Sequence, residues 1–236
     1  MDRLPRVEVR GSPLHATTGA LHEALAGRAE VPFDEFAAAL REVDREIQRV
    51  RYPEGRETST PVRFGELAKR LGLGDPEIPE LLTGVHMGLL RSTAETPDHH
   101  VEVLASLRRH VPVGLCSNFT HSPTALGILD ESGLAPHLDP VVISVDVGLR
   151  KPRREIFDAV LAGLGTAPEE TLHVGDNLDA DVAGAAARGF ETAWLRRRVR
   201  DPEKALRSYR GPPPDHVLDD LSELVALVGG SAGATR

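Results

Sequence analysis

Residues 172–181 of the chain read LHVGDNLDAD, and this stretch decides the predicted fold. An apolar run ends in Gly175-Asp176 and passes directly into an alanine-rich segment. A short apolar run followed by a helix is typical of a buried strand in an α/β protein. Because open α/β sheets bind ligands beyond the carboxyl ends of their strands, Asp176 and Asp181 are predicted to lie at the functional edge of a sheet.

Two segments upstream have the same character. GLCSN at 114–118 and GLRKP at 148–152 each end or follow another apolar run. Strand patterns occur at 111–117, 141–145, 171–175, 191–195 and 216–218, with helix patterns between them. This alternation predicts an α/β domain with a mostly parallel sheet that is covered by helices on both faces.

The chain from about residue 17 to 94 has helical periodicity and no strand pattern. Apolar residues recur at steps of three and four, at Phe36, Leu40, Val43, Ile47 and Val50, and again at Ile78, Leu81, Leu82, Val85 and Leu89. Thr60-Pro61 and Asp75-Pro76 are typical helix starts. We therefore expect four helices at 17–95, an α/β core at 96–229 and a flexible tail at 230–236. Residues 1–16 are expected to be what remains of a first-strand region.

Composition limits the class of protein and of partner. The 236 residues are 40% hydrophobic, enough for the core of one α/β domain with an insert. No run approaches the about 20 apolar residues of a membrane helix, and the start lacks the apolar block of a secretion signal. The net charge of −8 argues against nucleic acid as a partner. A cytoplasmic protein is predicted, with its one cysteine, Cys116, packed in the core.

The segments 114–118, 148–152 and 172–181, in this order along the chain, resemble the motifs of the haloacid dehalogenase-like hydrolase superfamily. Its members are mostly magnesium-dependent phosphatases. The resemblance implies a Rossmann-like core and makes the helical block at 17–95 an inserted cap over the site; a helical subdomain without a lid function is the alternative. It also implies Mg²⁺ as cofactor and a small phosphorylated metabolite as substrate. The related dehalogenases work without metal and tend to lack the Gly-Asp pair, so Gly175-Asp176 favours phosphatase chemistry over carbon–halogen cleavage.

The resemblance implies roles for five residues. Ser117, with Asn118 beside it at a predicted strand tip, would bind the transferring phosphoryl group. Lys151 would offset the negative charge of the phosphoryl group and of a nucleophilic carboxylate. Asp176 and Asp181 would make up the metal site, because Mg²⁺ prefers hard oxygen ligands. Asp176 is implied as the direct or water-bridged ligand, and Asp181 as its support, orienting waters or pairing with Lys151.

One part of the family pattern has no good counterpart. Family members open with a strand carrying Asp-x-Asp-x-Thr, in which the first Asp attacks phosphorus to form an aspartyl-phosphate and the second moves the proton. The nearest fit in this chain is EVRGS at 8–12, with Glu8 and Arg10 in the places of the two acids. The longer side chain of Glu8 would misplace the attacking oxygen, and Arg10 never deprotonates.

The missing Asp-x-Asp pair has two explanations, and physical reasoning favours one of them. Either Met1 is an internal methionine and the first strand lies upstream, or the chain is a degenerate member that binds phosphate without turnover. Residues 6–10 carry three charges in five positions, unlike a central strand that is buried on both faces. We favour the first explanation, and neither assigns a nucleophile. Under the second, Val7 and Val9 are expected to lie buried between the strands of Ser117 and Asp176. A metal-independent dehalogenase is the remaining alternative.

Overall fold

The computed structural model of the chain describes residues 6–9, 12–15 and 17–231. They fold as two compact units, one with residues up to Glu95 and Thr120–Ile128, the other with Thr96–Phe119 and the residues from Leu129 onward. The Thr120–Ile128 segment belongs with the helical unit because Thr60 holds it. The Thr60 amide donates to the Thr120 carbonyl at 3.0 Å, and the two hydroxyls lie 2.8 Å apart.

The first unit contains four helices around an apolar core. They are α1 (Thr17–Glu23), α2 (Phe33–Glu46), α3 (Thr60–Arg70) and α4 (Ile78–Ser92), preceded by the antiparallel pair β1 (Arg6–Val9) and β2 (Ser12–His15). Ser59 caps α3 by accepting from the Val62 amide at 3.4 Å. Each helix contributes a fully buried side chain to one cluster, including Leu21, Phe36, Phe64 and Leu82.

Val50 departs from the predicted apolar stripe. Its exposure is 55%, whereas Ile47 is buried at 8%. The chain widens into a π-helix over Ile47–Arg51, and a π-helix has more residues per turn than an α-helix. Residues after Ile47 therefore rotate away from the buried face. The prediction that Val50 belongs to the core stripe is wrong for this reason.

The second unit alternates strands with helices. Its strands are β3 (Leu115–Ser117), β4 (Val141–Ile143), β5 (Leu172–Gly175), β6 (Glu191–Leu195) and β7 (His216–Leu218). Its helices are α5 (His99–Leu107), α7 (Ser144–Val147), α8 (Arg154–Leu164), α9 (Gly184–Ala186), α10 (Pro202–Ser208) and α11 (Leu224–Ser231), whereas most of α6 (Ser122–Glu131) lies in the segment of the first unit. A π-helix over Leu178–Ala183 leads into α9, and a 3₁₀ turn over Leu221–Glu223 leads into α11.

All strand pairs in this unit are parallel, which confirms the predicted sheet type. β3 pairs with β4, with Leu115 opposite Val141, and β5, β6 and β7 pair in that order. Among the described residues no ladder joins β3 to β5, so the strands form one sheet of two and one of three. β3 is shorter than its sequence pattern: its ladder to β4 begins at Leu115, and Val111 and Pro112 are exposed.

Helices cover both faces of the three-stranded sheet. Leu172 and Val174 of β5 pack into an apolar cluster built by α5 and α11. His173, between them, points to the other face, where its ring lies 5.3 Å from the ring of Phe157 and 6.2 Å from that of Phe190. This alternation is the two-residue period of a strand that is buried on both sides.

Two expectations from the sequence concern other parts of the chain. Within residues 17–231, no helix combines the length and hydrophobicity that crossing a membrane requires. The expected burial of Val7 and Val9 falls outside the described side chains. The backbone of β1 pairs with β2, with Arg6 opposite His15.

Candidate active site

The candidate site lies where β3 and β5 end. Ser117 is the last residue of β3, and Asn118 follows it; Gly175 is the last residue of β5, and Asp176 follows it. Asp176 is exposed, and within the described residues neither its carboxylate nor the Ser117 hydroxyl has a hydrogen-bond or ion-pair partner. Both groups are therefore available to a ligand.

Asn118 fixes the segment that carries Lys151. Its side-chain amide donates to the Lys151 carbonyl at 3.1 Å, and its side-chain oxygen accepts from the Lys151 amide at 2.8 Å. The two residues thus form a closed pair of hydrogen bonds. Because the side chain of Asn118 is used in this way, its contribution is to position Lys151 beside the tip of β3.

The ammonium of Lys151 bridges the two strand ends. Its Nζ atom lies 2.7 Å from Asp181 Oδ1 and donates to the Cys116 carbonyl of β3 at 2.5 Å. The Lys151 residue is only 9% exposed, and Asp181 only 4%. Burial raises the pKa of the Cys116 thiol to about 11, so this neighbour stays protonated and serves as packing rather than as a nucleophile.

Asp181 is held from three directions. Besides Lys151, its Oδ1 lies 3.2 Å from His173 Nε2, and its Oδ2 accepts from the Asn177 amide at 2.9 Å. Burial alone would raise the pKa of this carboxyl, but the Lys151 charge and the His173 hydrogen bond outweigh it, and the pKa lies well below its usual range. Asp181 is a buried, ionised partner of Lys151.

His173 has no role in the sequence predictions, yet it is the third member of this buried group. Its ring sits between aromatic side chains and reaches Asp181 through Nε2. Burial lowers the pKa of His173 more than its hydrogen bond with Asp181 raises it. A histidine in the middle of an apolar strand run is the sequence signal that points to it, because such a residue needs a buried hydrogen-bond partner.

The donor set distinguishes the two acids of the predicted metal site. Mg²⁺ binds through one or two carboxylates and keeps several waters. The exposed carboxylate of Asp176 fits this requirement, and its own backbone is fixed by the Trp194 Nε1 bond to the Asp176 carbonyl at 3.1 Å. Both oxygens of Asp181 already accept protein hydrogen bonds, so Asp181 fits a positioning role better than direct ligation.

Only glycine fits at position 175. A Cβ atom built there would overlap the carboxylate of Asp181. Replacing Gly175 by Ala should therefore lower the free energy of unfolding by about 1–3 kcal/mol, measured by urea denaturation. Gly84 in α4 is the matched control, because a Cβ there meets nothing within 4 Å and Ala should stabilise the helix by about 0.5–1 kcal/mol. Equal effects at the two positions would contradict the packing of Asp181 against β5.

The neutral state of His173 predicts a pH dependence of stability. The unfolded side chain has a pKa of about 6.5, and the folded one lies lower. The unfolded state therefore binds more protons below that pH, and stability falls as the pH drops from 7 towards 5, by at most about 1.4 kcal/mol per pH unit. His173→Phe should flatten this slope, while the exposed His110→Ala should not. A slope that His173→Phe leaves unchanged would contradict a buried neutral imidazole.

The sequence of most of the chain matches one protein family. Residues 12–189 match the model of the haloacid dehalogenase-like hydrolase family. The chain belongs to this family. A phosphoserine phosphatase of Thermus thermophilus is 40% identical over 95 residues, 39% of this chain and 35% of that protein. A glyceraldehyde 3-phosphate phosphatase of Methanopyrus kandleri is 30% identical over 191 residues, 79% of each chain. The chain thus spans about a third of the first relative's length.

A solved structure of another protein has the same fold as this chain. The 2-haloacid dehalogenase of Pseudomonas syringae superimposes with a TM-score of 0.67 at 20% identity, covering 92% of this chain and 90% of that one. At this identity the likeness concerns the fold alone. It confirms a haloacid dehalogenase-type architecture and leaves the choice between phosphorus and carbon–halogen chemistry to the site residues.

Proposed function

We propose that this chain is a magnesium-dependent phosphomonoester hydrolase acting on a small phosphorylated metabolite. The observation that carries the proposal is the buried Lys151–Asp181 pair, 2.7 Å long, which links the Cys116 carbonyl of β3 to the π-helix that follows β5. A cation held at a strand end is suited to a dianionic phosphoryl group. The two relatives are phosphatases by name, and their substrates are small phosphorylated compounds.

Each residue has a part in this proposal that follows from its contacts. The free hydroxyl of Ser117 would bind a phosphoryl oxygen, and the Lys151 ammonium would neutralise negative charge on the bound phosphoryl group. Asp181 holds the Lys151 ammonium, His173 holds the carboxylate of Asp181, and Asn118 holds the Lys151 backbone. Asp176 would hold Mg²⁺, which supplies further charge stabilisation when bound.

An inactive phosphate-binding module is the second candidate. The observation in its favour is that the sequence before Ser117 contains no Asp-x-Asp pair. Such a module keeps the anion-binding groups at the ends of β3 and β5 but lacks the attacking carboxylate, so it binds phosphate without turning a monoester over.

One set of measurements separates these functions. Under the proposal, the chain, or a form of it extended upstream of Met1, releases phosphate from p-nitrophenyl phosphate only when Mg²⁺ is present, and Lys151→Met abolishes both turnover and vanadate binding. Vanadate binding that needs Lys151, without turnover by the 236-residue chain or by the extended form, identifies the inactive module. Halide release from a 2-haloacid without Mg²⁺ identifies a dehalogenase. Circular dichroism of Lys151→Met checks that the variant is folded.

A further inference from the structure

A second group of metal-binding side chains lies away from the Lys151–Asp181 pair. Among the described residues, one set of at least three His, Cys, Asp or Glu side chains places its ligand atoms within 4.8 Å of one another, and it consists of His99, His100 and Asp220. We call it the His-His-Asp cluster. The two histidines open α5, and Asp220 follows β7. We propose that the His-His-Asp cluster binds a divalent transition metal of the Zn²⁺ class.

The spacing of the donor atoms fits such an ion. His99 Nε2 lies 2.7 Å from Asp220 Oδ1, and His100 Nε2 lies 3.4 Å from Asp220 Oδ2. Ligand atoms around a tetrahedral Zn²⁺ with bonds of 2.0–2.1 Å are about 3.3 Å apart. His100 already has this separation. His99 faces the other carboxylate oxygen, so binding of one ion by all three residues requires His99 to move, which its 46% exposed side chain permits.

The cluster is built on a rigid base. Asp220 accepts from the Ser222 amide at 3.0 Å and caps the 3₁₀ turn before α11. The side chain of His100 is 11% exposed, and its ring lies edge-on to that of His99, with centroids 4.6 Å apart. Two imidazoles and one carboxylate are ligands that suit Zn²⁺, Co²⁺ or Ni²⁺ better than Mg²⁺. Three protein ligands leave a coordination position for water or an anion.

Arg197 competes with the metal for Asp220. Its Nη1 lies 2.5 Å from Asp220 Oδ2, so binding of a cation requires the guanidinium to leave. The Arg197 side chain is 40% exposed, which allows it to move into solvent. A positive charge at this position lowers the affinity for a dication, and its removal should raise it.

The position of the cluster separates it from the predicted Mg²⁺ site. Asp176 follows β5 and Asp220 follows β7, and both strands run parallel to β6 between them. Two strand spacings correspond to about 10 Å across the sheet. The His-His-Asp cluster therefore lies on the same edge of the sheet as Asp176, with its own ligands and its own metal preference.

The test is a calorimetric titration of Zn²⁺ into the full chain in buffer that contains excess Mg²⁺. We expect one Zn²⁺ per chain, with affinity reduced at least about tenfold in His99→Ala and in Asp220→Asn. Asn still caps a helical turn, so Asp220→Asn keeps the local fold. Affinity should rise in Arg197→Ala and stay unchanged in the exposed His110→Ala.

The same variants decide between this site and binding elsewhere. Asp176→Asn should leave Zn²⁺ binding intact, and Co²⁺ in the wild-type chain should show the visible absorption of a tetrahedral site that His99→Ala loses. Wild-type Zn²⁺ affinity in either His99→Ala or Asp220→Asn overturns the proposal. Loss of Zn²⁺ binding in Asp176→Asn overturns it as well, because the ion then occupies the other site.

Discussion

Replacing Asp181 by Asn should lower the free energy of unfolding by about 3–5 kcal/mol. The substitution keeps the shape of the side chain but leaves the buried ammonium of Lys151 without its counter-charge. Asn also keeps only one acceptor oxygen, so its NH₂ group faces either the Asn177 amide or the donors at the other oxygen, His173 Nε2 and Lys151 Nζ. Phosphate or vanadate binding should fall with stability, because the ammonium is no longer fixed beside Ser117. Urea denaturation and a vanadate titration measure the two effects.

A double variant separates loss of the pair from loss of packing. In Lys151→Met with Asp181→Leu both charges are gone, and the stability should return to within about 1–2 kcal/mol of the wild type. Anion binding should not return, because it needs the Lys151 charge itself. A cost below about 1 kcal/mol for Asp181→Asn is the value of an exposed ion pair. That result would contradict the buried bridge between β3 and β5.

Replacing Asp176 by Asn should weaken Mg²⁺ binding by at least about 100-fold while leaving stability unchanged. A charged hard ligand becomes a neutral one, and the exposed side chain has no partner within the described residues that its loss would strand. Calorimetry with Mg²⁺ measures the affinity, and thermal unfolding without Mg²⁺ measures the stability. Any Mg²⁺-dependent turnover should fall with the affinity.

Asp179 provides the matched control for Asp176. It is exposed in the same turn, and its amide donates to Asn177 Oδ1 at 3.1 Å, so Asp179→Asn changes the local charge equally. Mg²⁺ affinity should be unchanged in this variant. An equal decrease in both variants would mean that general negative charge, not a ligand at position 176, attracts the ion. An unchanged affinity in Asp176→Asn would exclude the metal assignment.

Regular patterns were sufficient for much of the fold. The alternation of strand and helix patterns from residue 111 onward predicted a mostly parallel sheet, as found in the β3–β4 and β5–β6–β7 ladders. Periodicity also predicted the buried face of α2 and the burial of Ile47, the first residue after it. It was wrong for Val50 because a π-helix changes the number of residues per turn, and the side-chain pattern contains no sign of that change.

At the candidate site, the sequence could not predict contacts between residues that are far apart along the chain. Local turn chemistry places Ser117 and Asp176 at strand ends, so their position follows from sequence alone. The partners of Asp181 do not follow from its neighbours, since Lys151 is thirty positions away. His173 reaches the same carboxylate for two reasons. Side chains of β5 alternate between the two faces of the sheet, and the π-helix after β5 places Asp181 on the face where His173 lies.

The sequence by itself determined which residue types stand at the carboxyl ends of the strands, because hydrophobic period and turn residues are local properties of the chain. Tertiary structure alone decided which of these groups are used internally and which are left for a ligand. Packing buried Asp181 and Lys151 together and surrounded His173 with aromatic rings, whereas it left Asp176 exposed. Burying a charge without a partner costs free energy, so the buried charges are paired with each other and the unpaired carboxylate stays at the surface. Which residues are buried depends on chain segments that meet only in the folded protein.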